Sequence, residues 1–220
     1  MIHNGPQNIY YGQIDPASNL ATDAIIAGYF DQDYVGTCVE VGVADGRKGS
    51  NTLHFERRDW ETLCIDPIPE HVCEARTFRK LVHEGACVGS IADDCPDFYV
   101  FDIGDGHILS SLSGLKPDPK LLVSHGHLIN ECYTIQVECN SLEAILRQYD
   151  FPRDIDFISI DTEGTELDVL RGINFSARNI KLLVVENNYN EPHIENYLAC
   201  HGYIKVQRHY VNDFYIKETK

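Results

Sequence analysis

The sequence predicts an α/β protein with a mostly parallel sheet, helices on both faces and a C-terminal antiparallel hairpin. From residue 37 onward, short apolar runs alternate with segments of helical periodicity, a rhythm typical of parallel sheets with right-handed crossovers. The last two apolar runs, at 203–208 and 214–217, leave no room for a helix between them. They are therefore expected to pair antiparallel.

The composition indicates one globular domain. The chain has 220 residues, of which 43% are hydrophobic and 24% are charged. We expect a single domain over 1–220, with an N-terminal segment or lid at 1–30 and an insertion at 90–139. The formal net charge of -16 disfavours broad binding to nucleic acid or anionic membranes. No apolar run reaches the roughly 20 residues of a membrane-spanning helix, and no secretory signal is visible.

The elements of the first half follow from local patterns. Apolar runs that end at glycine or proline indicate buried strands, and Ser50 and Pro69 suit the first turns of helices. In chain order, the predictions are a helix at 16–30, a strand at 37–41, a helix from Ser50 to about 56, a strand at 62–66, a helix at 70–78 and a strand at 82–88.

In the second half, residues 90–139 are expected to form a hairpin-like insertion with strands at 98–103 and 133–139. Asn140 is expected to cap a helix, with Glu143 three residues on as in a capping box. The remaining predictions, in chain order, are a strand at 156–160, a helix that ends near Gly172, a strand at 181–185 and a helix that Pro192 opens and Gly202 stops.

The eight cysteines show neither a CxxC spacing nor a zinc-finger spacing. Cys38, Cys64 and Cys87 lie in apolar runs, where a free thiol acts as a small hydrophobic side chain. We therefore expect buried, reduced thiols and a cytoplasmic protein.

In a parallel sheet of this kind, a ligand is expected to bind beyond the carboxyl ends of the strands. There, Gly42 and Gly46 allow a sharp turn and a close approach to a ligand, and Asp66 ends the next strand, where it can accept hydrogen bonds from a ribose. Ala44 breaks the dinucleotide pattern GxGxxG, so an adenosyl ligand is favoured over a dinucleotide or a purely structural turn. Glu40 suits a cofactor that carries an ammonium and a sulfonium.

Several segments together resemble the FkbM family of S-adenosylmethionine-dependent methyltransferases, from about residue 17 to 216. The segments are Gly42-Val-Ala-Asp-Gly46, Ser50-Asn-Thr52, Trp60, Cys64-Ile-Asp-Pro67 and Ser159-Ile-Asp-Thr-Glu-Gly-Thr-Glu166. The resemblance implies a Rossmann-like class I methyltransferase fold and methyl transfer from S-adenosyl-L-methionine, usually to an oxygen. The acceptor in such proteins is often a sugar or a natural product.

The resemblance also implies roles for individual residues. Asp66 would hold the ribose of the cofactor, and Ser90 would lie near the adenine. Ala44 departs from the third glycine that is common in methyltransferases. The residues that would line the methionine end are Glu40, Gly42, Asp45, Gly46, Ser50, Asn51 and Thr52.

Methyl transfer to an alcohol needs a group that takes the acceptor proton. Asp161 follows the fourth strand of the main sheet, and we expect it to be the base or the acceptor-orienting group, flanked by Glu163 and Glu186. One alternative is that these carboxylates cap the helix that begins near Thr165. Another is that Asp161, Glu186 and Asn187 hold a divalent metal ion such as Mg²⁺, Ca²⁺ or Mn²⁺.

The sequence thus predicts an O-methyltransferase that acts on a hydroxyl of a small molecule or glycan, and a sugar is the favoured acceptor. Residues 90–139 and the N-terminal segment are expected to shape the acceptor side. The alternatives are a non-catalytic module that binds an adenosyl cofactor and an NAD-dependent oxidoreductase, which the absent GxGxxG disfavours. Neither a nucleic-acid nor a membrane partner is expected, and the sequence does not indicate an oligomeric state.

Overall fold

A computed structural model describes residues 9–89, 97–104 and 107–218 of the chain. Its main feature is a seven-stranded sheet in which five strands are parallel and β11 runs antiparallel to both of its neighbours. In spatial order, the strands are β10 (Tyr203–His209), β11 (Asn212–Lys217), β9 (Asn179–Glu186), β8 (Asp154–Ile160), β1 (Thr37–Val41), β2 (Glu61–Asp66) and β3 (Val82–Glu84). The predicted mostly parallel sheet and C-terminal antiparallel hairpin are confirmed.

Helices cover both faces of this sheet. In chain order, the helices are α1 (Thr22–Ala27), α2 (Leu53–Glu56), α3 (Pro69–Ala75), α4 (Pro119–His125), α5 (Leu142–Gln148), α6 (Glu166–Arg171) and α7 (Pro192–Ala199), of which α4 belongs to the insertion. Alternation along β1 separates the two layers, because Val39 packs in a cluster with α5, α6 and α7, whereas Cys38 packs in a cluster with α1 and the aromatic ring of Phe55. The central strands are buried on both faces, which explains their near-continuous apolar sequence.

The insertion forms a hairpin of its own. Strands β5 (Phe98–Asp102) and β6 (Glu131–Ile135) pair antiparallel, and α4 lies between them in the chain. The hairpin pairing is as predicted, but the second strand ends at Ile135 rather than at 139. Residues beyond it form β7 (Cys139–Asn140), which pairs in parallel with β4 (Ala86–Cys87).

Four further predicted elements are wrong in their bounds, one of which is the helix predicted at 70–78, since α3 ends at Ala75. The strand predicted at 82–88 breaks at Gly85, after which Ala86 donates its N–H to the carbonyl of Glu138 instead of continuing beside β2. The helix predicted at 16–30 is reduced to α1, because the Asp15 side chain accepts from the N–H groups of the next residues and holds a turn there. The helix after β1 is a single turn, α2.

The cysteines follow the prediction only in part. Cys38, Cys64 and Cys87 are buried and free, and Cys73, Cys132 and Cys200 are exposed and free. Cys139, however, is disulfide-bonded, so the expectation of reduced thiols is wrong there. The prediction considered spacing along the chain, whereas a disulfide depends on proximity in the fold.

None of the helices in the described part of the chain combines the length and the hydropathy needed to cross a membrane.

Candidate functional site

A cleft of about 980 Å³ opens at the carboxyl ends of β1, β2 and β8. This is the edge at which the parallel sheet was expected to bind its ligand. Of the predicted site residues, those that line the cleft are Glu40, Gly42, Asp45, Ser50, Asn51, Asp66, Asp161 and Glu163. Gly46, Thr52 and Glu186 lie behind this lining, and Ser90 lies outside the described residues.

Gly42 lets the loop after β1 touch the loop after β8. Its φ of +85° is unfavourable for a residue with a side chain, and a Cβ there would overlap the carbonyl oxygen of Asp161. Gly46 also has a left-handed φ, +76°, and its lack of a side chain has a further reason. A Cβ at Gly46 would lie 2.8 Å from the Cβ of Ala75, so this glycine allows α3 to pack closely against the loop.

Asp66 ties the glycine loop to the end of β2. Its Oδ2 accepts the N–H of Ala44 at 2.8 Å, and its Oδ1 accepts the N–H of Ile68 at 3.0 Å. The bond to Asp66 helps to hold Ala44 at a φ of +49°. Each carboxylate oxygen has a second lone pair, so Asp66 can also accept a hydroxyl from a ligand.

Glu40 shapes the loop that follows the first glycine. Its Oε2 accepts the hydroxyls of Ser50 at 2.7 Å and Thr52 at 2.5 Å, and its Oε1 accepts the N–H of Asn51 at 2.6 Å. The residue is only 4% exposed. Because both oxygens bind protein groups, Glu40 organises the site in this structure, and its direct contact with a ligand stays a prediction.

Sequence reasoning missed Arg79, whose buried guanidinium joins the same network. It donates to Glu56 Oε2 at 2.5 Å, to the carbonyl of Gly46 at 2.8 Å, to Ser50 Oγ at 3.0 Å and to Thr52 Oγ1 at 2.6 Å. No local pattern marks this residue, because its partners lie far away in the chain and only the fold brings them together.

Asp45 and Asn51 have different surroundings at the cleft. Asp45 Oδ1 accepts the N–H groups of Arg47 and Lys48, both at 2.8 Å, and so holds a tight turn near the rim. The Asn51 amide donates to Ser159 Oγ at 2.9 Å, which links the glycine loop to β8. Asn51 Oδ1 has no hydrogen-bond partner among the described residues.

Residues 11–14 of the N-terminal segment, here called the strap, also line the cleft. Gly12 forms a bridge with Gly49 of the glycine loop, and the N–H of Tyr11 donates to Asp23 Oδ2 at 2.7 Å. Burial raises the pKa of Asp23 to about 6. The strap is therefore fixed between α1 and the glycine loop.

Three carboxyl groups meet where β8 and β9 end. One oxygen from each of Asp161, Glu163 and Glu186 can be chosen so that all three lie within 4.8 Å of one another. Glu163 has a φ of +56°, a backbone conformation that is uncommon for a residue with a side chain. The structure thus brings the predicted catalytic trio together.

Crowding and burial change the acidity of these groups. Burial and the charge of Glu166 raise the pKa of Asp161 to about 7, and burial and the charge of Asp161 raise that of Glu163 to about 10. Burial and the charges of Asp161 and Glu163 hold the pKa of Glu186 well above its usual range. Three like charges this close cannot all ionise at neutral pH, and Asp161 ionises at a lower pH than Glu163.

The capping alternative for Asp161 and Glu163 is wrong. Helix α6 has no side-chain cap at its preceding residue, Thr165. Glu166 instead organises the turn, since its Oε1 accepts the N–H groups of Thr162 at 3.1 Å and Gly164 at 2.9 Å.

The side chain of Asn187, which the sequence suggested as a metal ligand, is engaged in contacts within the protein. Its amide donates to the carbonyl of Glu191 and to Asp213 Oδ2, both at 2.9 Å, and its Oδ1 accepts the N–H of Glu191 at 2.9 Å. Among the acidic, histidine and cysteine side chains of the described residues, the group that could hold a metal ion is the carboxyl trio, which adds Glu163 to the suggested Asp161 and Glu186.

Comparison with known proteins places these features in context. The profile of the family described as "Methyltransferase FkbM domain" matches residues 40–205. Among solved structures, TrmK of M. capricolum in complex with S-adenosyl-homocysteine, described as its natural cofactor product, is similar at a TM-score of 0.42 and 10% identity. The similarity covers 88% of this chain and 65% of that one, just under two thirds of its length. No curated protein matches the chain.

Proposed function

The chain belongs to the FkbM methyltransferase family, and we propose that it transfers a methyl group from S-adenosyl-L-methionine to a hydroxyl of a small molecule or glycan, most of all a sugar. Its sheet, with β11 antiparallel between β9 and β10, has the expected Rossmann-like class I methyltransferase fold. The observation that carries the proposal is the carboxyl trio at the ends of β8 and β9, of which Asp161 and Glu163 line the same cleft as the glycine loop.

The cofactor is proposed to lie along the glycine loop. Asp66, at the end of β2, accepts the ribose hydroxyls with its remaining lone pairs. The methionine end lies against Ser50 and Asn51, and the unpartnered Oδ1 of Asn51 is a suitable acceptor for its ammonium. A cleft of about 980 Å³ has room for this cofactor and a small acceptor together.

Asp161 is proposed to take the acceptor proton. The acceptor oxygen forms a bond to the methyl carbon, the bond from that carbon to sulfur breaks, and the hydroxyl proton passes to the Asp161 carboxylate. A pKa of about 7 leaves Asp161 partly ionised at neutral pH, so it can accept a proton and release it again. The positive sulfonium nearby favours the ionised form further.

The insertion supports a hydroxyl-rich acceptor. It contributes one wall of the cleft, and the polar residues of that wall are His107, Ser110, Ser111 and Ser113. Short hydroxyl side chains can both donate and accept hydrogen bonds, which suits the hydroxyls of a sugar. The strap residues form part of the opposite boundary.

The function is tested by a transfer screen with labelled S-adenosylmethionine over sugars, glycans and small alcohols, with amines and carboxylic acids included as competing acceptor classes. We expect methyl esters and methylamines to be absent among the products and a methyl ether to form on at least one hydroxyl acceptor. Transfer only to nitrogen or carboxylate acceptors would contradict the proposed O-methylation. Binding of NAD but not of S-adenosylmethionine would favour the oxidoreductase instead, and cofactor binding without any turnover would favour a non-catalytic module.

Asp161→Asn is the variant that tests the catalytic assignment. We expect kcat to fall at least about 100-fold while the Kd for S-adenosyl-homocysteine changes less than about threefold, because the amide cannot take the proton. The kcat/KM of the unmodified protein should rise with pH through about 7, as Asp161 loses its proton, and this rise should be absent in the variant. Asp154→Asn, at the opposite and exposed end of β8, is the matched control.

The same carboxyl trio also offers an oxygen donor set that suits a divalent cation. This second candidate is decided in the same assay. Loss of turnover in EDTA, with recovery on adding Mg²⁺ or Mn²⁺, would support a metal-assisted reaction. Full activity in EDTA would leave Asp161 alone as the proton acceptor.

We further propose a cytoplasmic protein without nucleic-acid or membrane partners, in keeping with its net charge of -16. The buried free thiols of Cys38, Cys64 and Cys87 favour a reducing compartment, whereas the disulfide at Cys139 favours an oxidising one. Alkylation of the protein in intact cells before lysis, followed by mass spectrometry, decides between them. A free Cys139 thiol in that sample supports the cytoplasm.

A further inference from the structure

We propose that Arg79 is a positioning residue that sets the affinity for the methionine end of the cofactor without touching the cofactor. The inference rests on the proposed function, because it assumes that the glycine loop holds this cofactor. Arg79 follows α3, and it is not among the residues that line the cleft.

The guanidinium fixes the far side of the loop at three points. It donates to the carbonyl of Gly46 at 2.8 Å, to Ser50 Oγ at 3.0 Å and to Thr52 Oγ1 at 2.6 Å. Ser50 is the one of these three whose own atoms line the cleft. A single rigid group therefore holds both ends of the segment that turns from the glycine loop into α2.

The positive charge of Arg79 also offsets the free-energy cost of burying the carboxylates that lie beside it. Its Nε lies 2.5 Å from Glu56 Oε2 and its Nη1 lies 3.6 Å from Glu40 Oε2, and the Arg79 side chain is 0% exposed. An uncompensated buried charge is strongly unfavourable. Without Arg79, Glu40 would lose its ionic partner, and the hydrogen bonds by which Glu40 orders Ser50, Asn51 and Thr52 would weaken.

The other half of the cofactor site does not depend on Arg79. Asp66 holds Ala44 and Ile68 through their backbone N–H groups, and none of these residues contacts the guanidinium through a hydrogen bond. The adenosine end is thus organised by β2 and the methionine end by Arg79. A change at Arg79 should therefore affect the two ends of the ligand unequally.

This asymmetry can be measured with two ligands. S-adenosyl-homocysteine carries the amino-acid end, and 5′-methylthioadenosine lacks it. Arg79→Lys keeps the positive charge but loses the planar guanidinium with its several donors. In this variant we expect the Kd of S-adenosyl-homocysteine to rise at least tenfold and the Kd of 5′-methylthioadenosine to rise less than threefold. With an acceptor from the transfer screen, KM for S-adenosylmethionine should rise while kcat stays within about threefold.

Arg178→Lys is the matched control. Arg178 is also buried, and it binds Glu143 and the carbonyl oxygens of Phe151 and Pro152, which do not line the cleft. This variant should lower the melting temperature without changing the ratio of the two affinities.

Glu56→Gln provides a second variant if Arg79→Lys does not fold. It removes one charged partner of Arg79 and leaves every cleft residue in place. We expect its affinity for S-adenosyl-homocysteine to fall at least threefold relative to its affinity for 5′-methylthioadenosine. If the folded variant loses the same affinity for both ligands, or loses none, the inference about Arg79 is overturned while the proposed function stands. If the unmodified protein binds neither ligand, the proposed function fails and the inference fails with it.

Discussion

At the scale of single residues, Gly42 decides whether the cleft can form. Two loops, one from β1 and one from β8, touch at this position, and the contact leaves no volume for a side chain. The sequence marks Gly42 as part of a ligand loop, but its partner is the backbone of Asp161. The glycine therefore places the proposed catalytic residue relative to the cofactor loop.

Gly42→Ala should destabilise the protein by at least about 2 kcal/mol, because a left-handed backbone is strained by Cβ and the methyl overlaps a carbonyl oxygen. Urea denaturation followed by circular dichroism measures the change. Gly49→Ala is the control, since Gly49 also has a positive φ, +79°, but open space around it. It should lose only about 1 kcal/mol, and equal losses in the two variants would contradict the steric argument.

The sequence was enough to predict the carboxyl trio, but not the role of Glu40. Asp161, Glu163 and Glu186 could be placed together because each follows a strand of one parallel sheet. The role of Glu40 could not be foreseen, because an acidic residue before a glycine is equally compatible with binding a ligand and with binding Ser50 and Thr52. Such a choice depends on side-chain geometry that strand periodicity does not contain.

At the scale of elements, buried strands were the most predictable features. β1 has the bounds that its apolar run predicts, and β8 and β9 differ from theirs by two residues or fewer at each end. Short helices were less predictable, since local side-chain hydrogen bonds of Asp15 and Ser50, rather than helical periodicity, accompany the starts of α1 and α2. In α2, the hydroxyl of Ser50 accepts the N–H of Leu53 at 3.1 Å, so the serine acts from two residues before the cap position.

The start of α5 offers a test at this scale. Ser141 accepts the N–H of Ala144 at 3.2 Å and is the cap, whereas the predicted cap, Asn140, lies in β7 and its side chain donates to Glu138. Ser141→Ala should therefore cost about 1 kcal/mol of unfolding free energy. Asn140→Ala should cost less than about 0.5 kcal/mol in the same urea titration, and the reverse order would support the capping box that the sequence suggested.

At the scale of the whole molecule, the acidity has two parts. One part lies in or behind the cleft, where Glu40, Asp66 and Asp161 are held by specific contacts or crowding. Another part lies on the surface. The whole chain has 34 acidic residues against 18 basic ones, so its net negative charge repels itself. Such repulsion is long-ranged, so salt should weaken it.

We expect the melting temperature at pH 7.5 to rise by a few degrees when NaCl is increased from about 0.01 M to 0.5 M, because the Debye length shrinks from roughly 30 Å to a few ångströms. Differential scanning calorimetry gives the measurement. At pH 5 the net charge is less negative, because histidine side chains in general gain a proton in this range, and the rise should be smaller. A melting temperature that falls with NaCl would mean that attractive surface ion pairs outweigh the repulsion.

The position of β11 has a consequence for how the chain is made. β11 is the last strand in sequence but lies inside the sheet, between β9 and β10. A nascent chain that has emerged only as far as β10 therefore has a gap beside β9, whose exposed edge includes Leu182 and Val184. The sheet can close only when residues 212–217 leave the ribosome. A pause in translation before these residues would therefore prolong the time during which the unpaired apolar edge of β9 can bind chaperones or other nascent chains.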